Sequence, residues 1–287
     1  MEKTIVVTGS AGFVGKALCN KLRVKEYSVI EIDISLGMDI TTAETFANLP
    51  DYDCIIHLAA RSFVPDSYII PADFYETNLM GTLNALESAR NKSAKMIFIS
   101  SYLYGTPSYL PVDENHTLSA HNPYAHSKLI GEMLCESYHK DFNVPIIIFR
   151  PFNIYGKGQN PEFMMPKIIR QIKEGKVNLM DSRPKRDYIY ITDVVDGIIA
   201  GVELENVEFD KFNLGTGVSI SVGDLVTKAV EISGKNDVEI LYQNIERKNE
   251  VFDCYSDIEK IKTKLHWQPV VSLEQGFAKM WNDSLDD

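Results

Sequence analysis

A doubly wound, parallel α/β sheet carrying a smaller C-terminal α/β lobe is the fold this chain predicts, on three observations. Short runs that are apolar on both faces alternate with helical stretches through the first half, as strands do when helices cover both sides of a sheet. The first run leads straight into a glycine-rich turn and then a helical stretch. After about Phe152 the texture changes: residues 156–161 are rich in Gly, Asn and Pro, and later apolar runs are shorter and mixed with helices.

Residues 3–8 are β-branched and apolar and read as the first strand, followed by Gly9-Ser10-Ala11-Gly12-Phe13-Val14-Gly15 and a helical stretch over 16–25. Strand, glycine turn and helix in this order set a pyrophosphate on a helix N-terminus. The glycines permit the turn, admit backbone close to phosphate and let the helix pack on the strand. Their spacing is GxxGxxG rather than the more general GxGxxG. A second strand over 28–32 ends in Asp33, eighteen residues after Gly15. An acid there holds both hydroxyls of an adenosine ribose and repels a 2′-phosphate. NAD is therefore the expected cofactor, with NADP left open.

Residues 53–58 read as the third strand, ending at Ala59-Ala60; 72–90 as a long helix; and 95–100 as the fourth strand. A helix over 124–142 precedes a strand of near-continuous isoleucine over 145–150. Segments 188–193 and 212–215 are expected to return to the sheet. Residues 1–155, with 188–215, then form a Rossmann-type cofactor domain, and 156–187 with 216–287 a substrate lobe.

The helix over 124–142 opens on Asn122-Pro123-Tyr124-Ala125-His126-Ser127-Lys128. Asn accepts from the first free amides of a helix and Pro fits its first position. Tyr124 and Lys128, four apart, share one face. A phenol is a poor base at neutral pH, and a neighbouring cation favours the phenolate. That pairing suits proton exchange with a carbinol hydroxyl while a hydride moves.

Composition narrows the partners. With 29 basic and 40 acidic side chains among 287 residues, neither nucleic acid nor an anionic membrane is expected as a partner. No apolar run nears the roughly eighteen residues of a membrane span, and the N-terminus enters a strand without a signal peptide. Cys19, Cys54, Cys135 and Cys254 form no CxxC pair and read as core residues in a reducing, cytoplasmic compartment. The six histidines show no metal spacing, so no metal is expected.

Taken in order, several short motifs resemble the extended short-chain dehydrogenases of the NAD-dependent epimerase/dehydratase family, which act on nucleotide sugars. They are Thr8 to Gly15; His57-Leu58-Ala59-Ala60; Asn78-Leu79-Met80-Gly81-Thr82; Ser100-Ser101-Tyr102-Leu103-Tyr104-Gly105; Tyr124 with Lys128; Arg150-Pro151-Phe152-Asn153-Ile154-Tyr155-Gly156; Arg186-Asp187-Tyr188-Ile189-Tyr190-Ile191; and Asn213-Leu214-Gly215. The resemblance spans nearly the whole chain.

It implies that Tyr124 is the general acid/base and that Lys128 lowers its pKa and binds the nicotinamide ribose. A serine at the end of the fourth strand would hydrogen-bond the same substrate oxygen. The segment is one residue shorter than the usual pattern: counting from the strand selects Ser101, the preferred choice, and counting back from Tyr104-Gly105 selects Ser100. Gly9, Ser10, Gly12, Phe13, Val14, Ser100 and Pro151 would contact the cofactor, Asp39 and Ile40 would edge the adenine, and Leu58, Ala59 and Ala60 would run beneath it. Asn78 is expected to brace that backbone. Arg186 and Arg247 would hold a diphosphate, as guanidinium offers paired donors to phosphate; Asn249 replaces the family's glycine near the second. Ser62, Tyr102 and Asn153 would face the sugar.

Relatives that are 4,6-dehydratases carry an acid directly after the catalytic serine or threonine, where this chain has Tyr102 and Leu103, which argues against that reaction. Two hydride transfers at carbon 4 remain. A 4-ketoreductase acting on a 4-keto-6-deoxy nucleotide sugar is favoured, because the chain is short for enclosing a rotating intermediate; a nucleotide-sugar 4-epimerase is the alternative. A homodimer is also implied, with helices 72–90 and 124–142 of each subunit in contact through Leu79, Leu83, Leu86, Leu129, Met133 and Leu134.

Overall fold

The computed structural model describes residues 3–246 and 250–285. Six strands form the main sheet: β1 (Thr4–Thr8), β2 (Ser28–Ile32), β3 (Cys54–His57), β4 (Lys95–Ile99), β5 (Ile146–Pro151) and β6 (Phe209–Leu214). Their order is β6-β5-β4-β3-β1-β2 and every pairing is parallel. The chain leaves β1 on one side to make β2 and on the other to reach β3. A crevice therefore opens at the carboxyl ends of β1 and β3, the topological switch point of such sheets.

Alternate residues of each strand face opposite sides. Ile5, Val7, Ile56, Ile97 and Phe149 pack with helices α1 (Phe13–Val24) and Ile191–Glu203. Val6, Ile55, Met96, Phe98 and Ile148 pack with α2 (Gly81–Asn91) and α3 (Pro123–Phe142). This two-sided burial is why the strands read as continuous apolar runs. All four cysteines are free and buried.

Four features depart from the sequence reading or sharpen it. First, α1 begins at Phe13, not at residue 16, because Gly12 is extended and caps it without a side chain. Second, the expected helix over 72–90 is interrupted by a π-helical turn at Glu76–Met80. There the buried Asn78 accepts from Arg61 N at 2.8 Å and donates to Arg61 O at 3.1 Å and Ser127 Oγ at 2.8 Å. Third, Tyr188–Tyr190 does not join the main sheet: it pairs in parallel with Asn153–Tyr155 in a two-stranded sheet. The segment over 212–215 does return, as part of β6 beside β5. Fourth, Leu86 is fully buried in the core, so it offers no surface to a partner, whereas Met133 is 60% exposed.

Two further small sheets pair Lys176–Leu179 with Glu239–Tyr242 and Lys185–Arg186 with Ile220–Ser221. One apolar cluster runs from Ile5 and Val7 of β1 to Ile168, Ile172, Phe277 and Trp281. No helix among the described residues is long and apolar enough to cross a membrane.

Candidate active site

A cleft of about 1820 Å³ runs along the carboxyl ends of the strands. At one end lies the glycine turn. Gly9 has φ +72°, and a Cβ there would stand 2.8 Å from Ala59 N; a Cβ on Gly15 would run into the Gly9 carbonyl. The turn is thus packed backbone to backbone, with Gly12 N donating to Gly9 O at 3.1 Å. The first amides of α1 lack intrahelical partners, and Gly12, Phe13 and Val14 line the cleft. This cradle, closed to any Cβ and rimmed by helix amides, fits a dinucleotide pyrophosphate.

Asp33 lines the same end. Burial works against its charge, but hydrogen bonds from Ser35 N (2.9 Å), Ser35 Oγ (2.8 Å) and Ala11 N (3.1 Å), with the Lys16 charge, hold its carboxyl below the usual range. Asp39 accepts from Thr41 N and Oγ1 at 2.8 and 2.9 Å, and Ile40 sits against Gly81. Both line the wall, as do Leu58, Ala59, Ala60 and Pro151. Ser10 is an exception. It is fully buried, its amide and hydroxyl both directed at Ile32 O (3.3 and 3.5 Å), because the turn folds back on β2.

Beneath the turn, His57 Nδ1 meets Thr8 Oγ1 at 2.8 Å, and Ala59 N donates to that same oxygen at 3.2 Å. Burial, helped by the Lys128 charge, pushes His57 down to about 3. A neutral ring therefore ties the ends of β1 and β3.

The residues expected to form the reaction centre sit on the first two turns of α3. Asn122 Oδ1 caps the helix by accepting from Ala125 N at 2.8 Å, with Pro123 at the first position. Tyr124 follows immediately and hydrogen-bonds Ser101. Lys128, one turn on, is buried; its ammonium donates to Ile99 O at 2.7 Å and lies 5.0 Å above the Phe98 ring. Burial pushes the Tyr124 phenol up to about 12, against the Ser101 hydrogen bond and helped by nearby Tyr102. The expected lowering by Lys128 is not what governs the phenol here, because the ammonium is turned to the strand carbonyl. Burial also lowers Lys128 itself to about 8, against Cys135 and Glu132.

The two candidate serines part company. Ser101 meets Tyr124, whereas the buried Ser100 donates through Oγ to Glu132 Oε1 at 2.6 Å. The Ser100 side chain therefore points away from a cofactor, although the residue borders the cleft.

Towards the other end, Tyr102 stacks on Phe152 (centroids 4.9 Å) and donates to Asn153 Oδ1 at 3.1 Å. Arg186 is tied to Glu250 at 2.5 Å and to the carbonyls of Lys185 and Val251. It reaches the cleft wall already paired. Ser62 is part of the lining too; Arg247 lies outside the described residues. Phe163 and Lys167, at the start of the helix Met164–Lys173, and Met180, just after the strand Lys176–Leu179, join this wall without a local signal in the sequence. Glu132, also unremarked in the sequence, has one visible clue: it falls four residues after Lys128 on the same helical face.

A model of the NAD-dependent epimerase/dehydratase family matches residues 5–215. The chain belongs to that family. Among the relatives of this epimerase/dehydratase-family chain, the UDP-glucose 4-epimerase of Bacillus subtilis (strain 168) is 29% identical, over 96% of this chain and 95% of its own. The structure of UDP-glucose 4-epimerase from Thermotoga maritima with UDP-glucose aligns with a TM-score of 0.91 at 28% identity, covering 99% of this chain and 100% of that one. UDP-glucuronic acid 4-epimerase from Bacillus cereus, in complex with UDP-glucuronic acid and NAD, aligns with a TM-score of 0.89 at 30% identity, covering 98% and 99%. This family member is an NAD-dependent enzyme acting on nucleotide sugars.

Proposed function

We propose that this protein is an NAD-dependent nucleotide-sugar 4-epimerase, most simply of UDP-hexoses. The observation that carries this reading is the reaction centre itself: one phenol–serine pair, with Tyr102 and Leu103 rather than a carboxylate beside it. Such a centre handles one proton at one carbinol, and positions 102 and 103 offer no carboxyl for dehydration. The compactness that favoured a 4-ketoreductase loses its force, because the chain covers 100% of a Thermotoga maritima UDP-glucose 4-epimerase.

Bound NAD would supply the hydride acceptor, and in reduced form the donor, for carbon 4. Gly9, Gly12, Phe13 and Val14 would hold its pyrophosphate, Asp33 the adenosine ribose and Lys128 the nicotinamide ribose. Tyr124 takes the proton of the C4 hydroxyl and returns it, while Ser101 hydrogen-bonds the same oxygen. With a phenol near 12, Tyr124 holds its proton at neutral pH, the state that protonates the returning C4 oxygen. For the opposite step the Ser101 hydrogen bond favours the phenolate, against burial. Asn153, Tyr102 and Ser62 would face the sugar, and Arg186 the diphosphate. In this division of labour residues 1–155 would hold the cofactor and also present Ser62, Ser101, Tyr102, Tyr124 and Asn153 to the sugar, while 156–187 with 216–287 would complete the substrate side.

The test follows the hydride. UDP-glucose and UDP-galactose should interconvert without added reduced cofactor, and deuterium at carbon 4 should stay there in the product. Stoichiometric NADH consumption with a 4-keto-6-deoxy nucleotide sugar would instead establish the ketoreductase. Tyr124→Phe should lower turnover by ~10²-fold or more and leave NAD affinity nearly unchanged; more than about a tenth of wild-type turnover would remove Tyr124 from the chemistry.

The same reading makes the protein a homodimer. Met80, Ile130 and Met133 are exposed on the helices expected to pair, and an isologous contact would cover them. Sedimentation at micromolar concentration should give twice the 32.4 kDa subunit mass; a single subunit would overturn the dimer.

A further inference from the structure

Behind the reaction centre lies a buried cluster that the chemistry above does not use. Glu132 and Arg150 have side chains only 2% and 1% exposed and form a paired contact, Nη2 to Oε2 at 2.7 Å and Nε to Oε1 at 3.0 Å. The third partner of the carboxylate is Ser100, whose Oγ donates to Oε1 at 2.6 Å. Arg150 is held in turn by Tyr104 OH at 3.2 Å and Glu114 O at 3.1 Å.

Where these groups sit matters more than that they are paired. Tyr124, Lys128 and Glu132 fall at successive fours along α3 and so share one face. Arg150 stands on β5, next to Pro151 at the cleft. Ser100 directly precedes Ser101. The neighbouring strand holds β4 as far as the Ser100 amide, bonded to Phe149 O at 2.8 Å. Among the described residues, the next backbone bond along this segment is made by Leu103 O to Ser119 N, at 2.8 Å. The serine that meets Tyr124 thus lies just beyond the end of the ladder, and the Ser100 side chain is the last tie before it.

We propose that Glu132 is a positioning residue: by holding Ser100 to the helix that carries Tyr124, it sets the distance between Ser101 and the phenol. A buried ion pair is a poor device for stability alone, since well-packed apolar groups of like volume often do as well. A carboxylate that clamps one helix and two strand ends at the point where a hydroxyl must meet a phenol has a geometric use, because displacement of about 1 Å in such a site costs about a hundredfold. The inference rests on Tyr124 and Ser101 forming the reaction centre.

The test uses the whole protein with NAD. Ser100→Ala removes the tie but leaves Glu132 paired with Arg150, so the fold should persist. Its kcat should fall about tenfold to a hundredfold, with KM for the nucleotide sugar and NAD affinity changed by less than about twofold. Ser100→Thr, which keeps the hydroxyl, should recover most of the loss. Glu132→Gln should lower kcat similarly in its folded fraction, and the double variant should lose no more than the worse single one. A Ser100→Ala enzyme with wild-type kcat, or losses that simply add in the double variant, would overturn the proposal. Should Tyr124→Phe stay active, the reaction-centre reading fails first. If Tyr124→Phe is inactive while Ser100→Ala keeps its kcat, only the role of Glu132 falls.

Discussion

The two ends of the proposed active site are made in opposite ways. At the glycine turn the site is shaped by what is missing: Gly9 and Gly15 lie so close to Ala59 and to each other that no Cβ fits. At the reaction centre the site is shaped by what is buried: Lys128, Glu132 and Arg150 sit at 4%, 1% and 1% exposure. The first is a steric solution made by a seven-residue turn packed against the backbone of Ala59. The second is an electrostatic one, assembled from α3, β4 and β5, and burying its charges carries a stability cost. A binding cradle can therefore be optimal for fold and function together, whereas the proton-handling centre sets the two against each other.

The sharpest way to break the steric end is Gly15→Ala. The added methyl meets backbone, not a movable side chain, so the turn itself must shift. Loss of about 3 kcal/mol or more is expected, with NAD affinity reduced over about a hundredfold. Chemical denaturation and NAD titration would measure both, and near-normal NAD binding would show that the turn tolerates what its geometry forbids.

The electrostatic end is sharpened by Lys128→Met. Burial lowers Lys128 from its ordinary 10.5 to about 8, so the unfolded chain binds the proton more tightly than the folded one. Stability contributed by this position therefore rises with pH between about 8 and 10.5, and the full penalty of the buried charge is present below about 8. The variant should be inactive, yet more stable than wild type by up to about 3 kcal/mol at neutral pH. That advantage should vanish as pH approaches 10.5. Denaturation midpoints that differ equally at neutral and alkaline pH would contradict it.

The smallest effect is expected at the rim of the steric end. Asp33→Ser should relax discrimination against NADP by about tenfold, because only charge repulsion with a 2′-phosphate is removed. Part of the Asp33 carboxylate also holds Ala11 N and Ser35, so a modest fall in NAD affinity should accompany it. An unchanged preference in cofactor competition would leave Asp33 as a purely structural strand-end residue.

How far each end was legible follows from the same contrast. The turn, Asp33 and the Asn122-Pro123-Tyr124 helix start could be read because their physics is local: backbone sterics, a strand end and a cap act within a few residues. For Ser10 the sequence is silent on direction, since whether a turn residue faces ligand or its own sheet depends on β2, whose Ile32 carbonyl takes the Ser10 hydroxyl. Counting from β4 favours Ser101 and counting back from Tyr104-Gly105 favours Ser100; the strand count agrees with the contact to Tyr124, because the β4–β5 ladder holds the backbone as far as the Ser100 amide. The π-turn at Glu76–Met80 was equally invisible, being shaped around Asn78 bonds to Arg61 and Ser127.

By itself, then, the sequence determined the doubly wound sheet, the cradle and the phenol–lysine face, because periodicity, glycine placement and helical spacing are properties of the chain before it folds. Only the tertiary structure decided that Ser101 meets Tyr124, that Glu132 stands behind Ser100, that Arg186 arrives already paired with Glu250, and that Tyr188–Tyr190 pairs apart from the main sheet. Each of these brings together groups distant in sequence, and their energies arise from burial and charge pairing that exist only once the elements have packed.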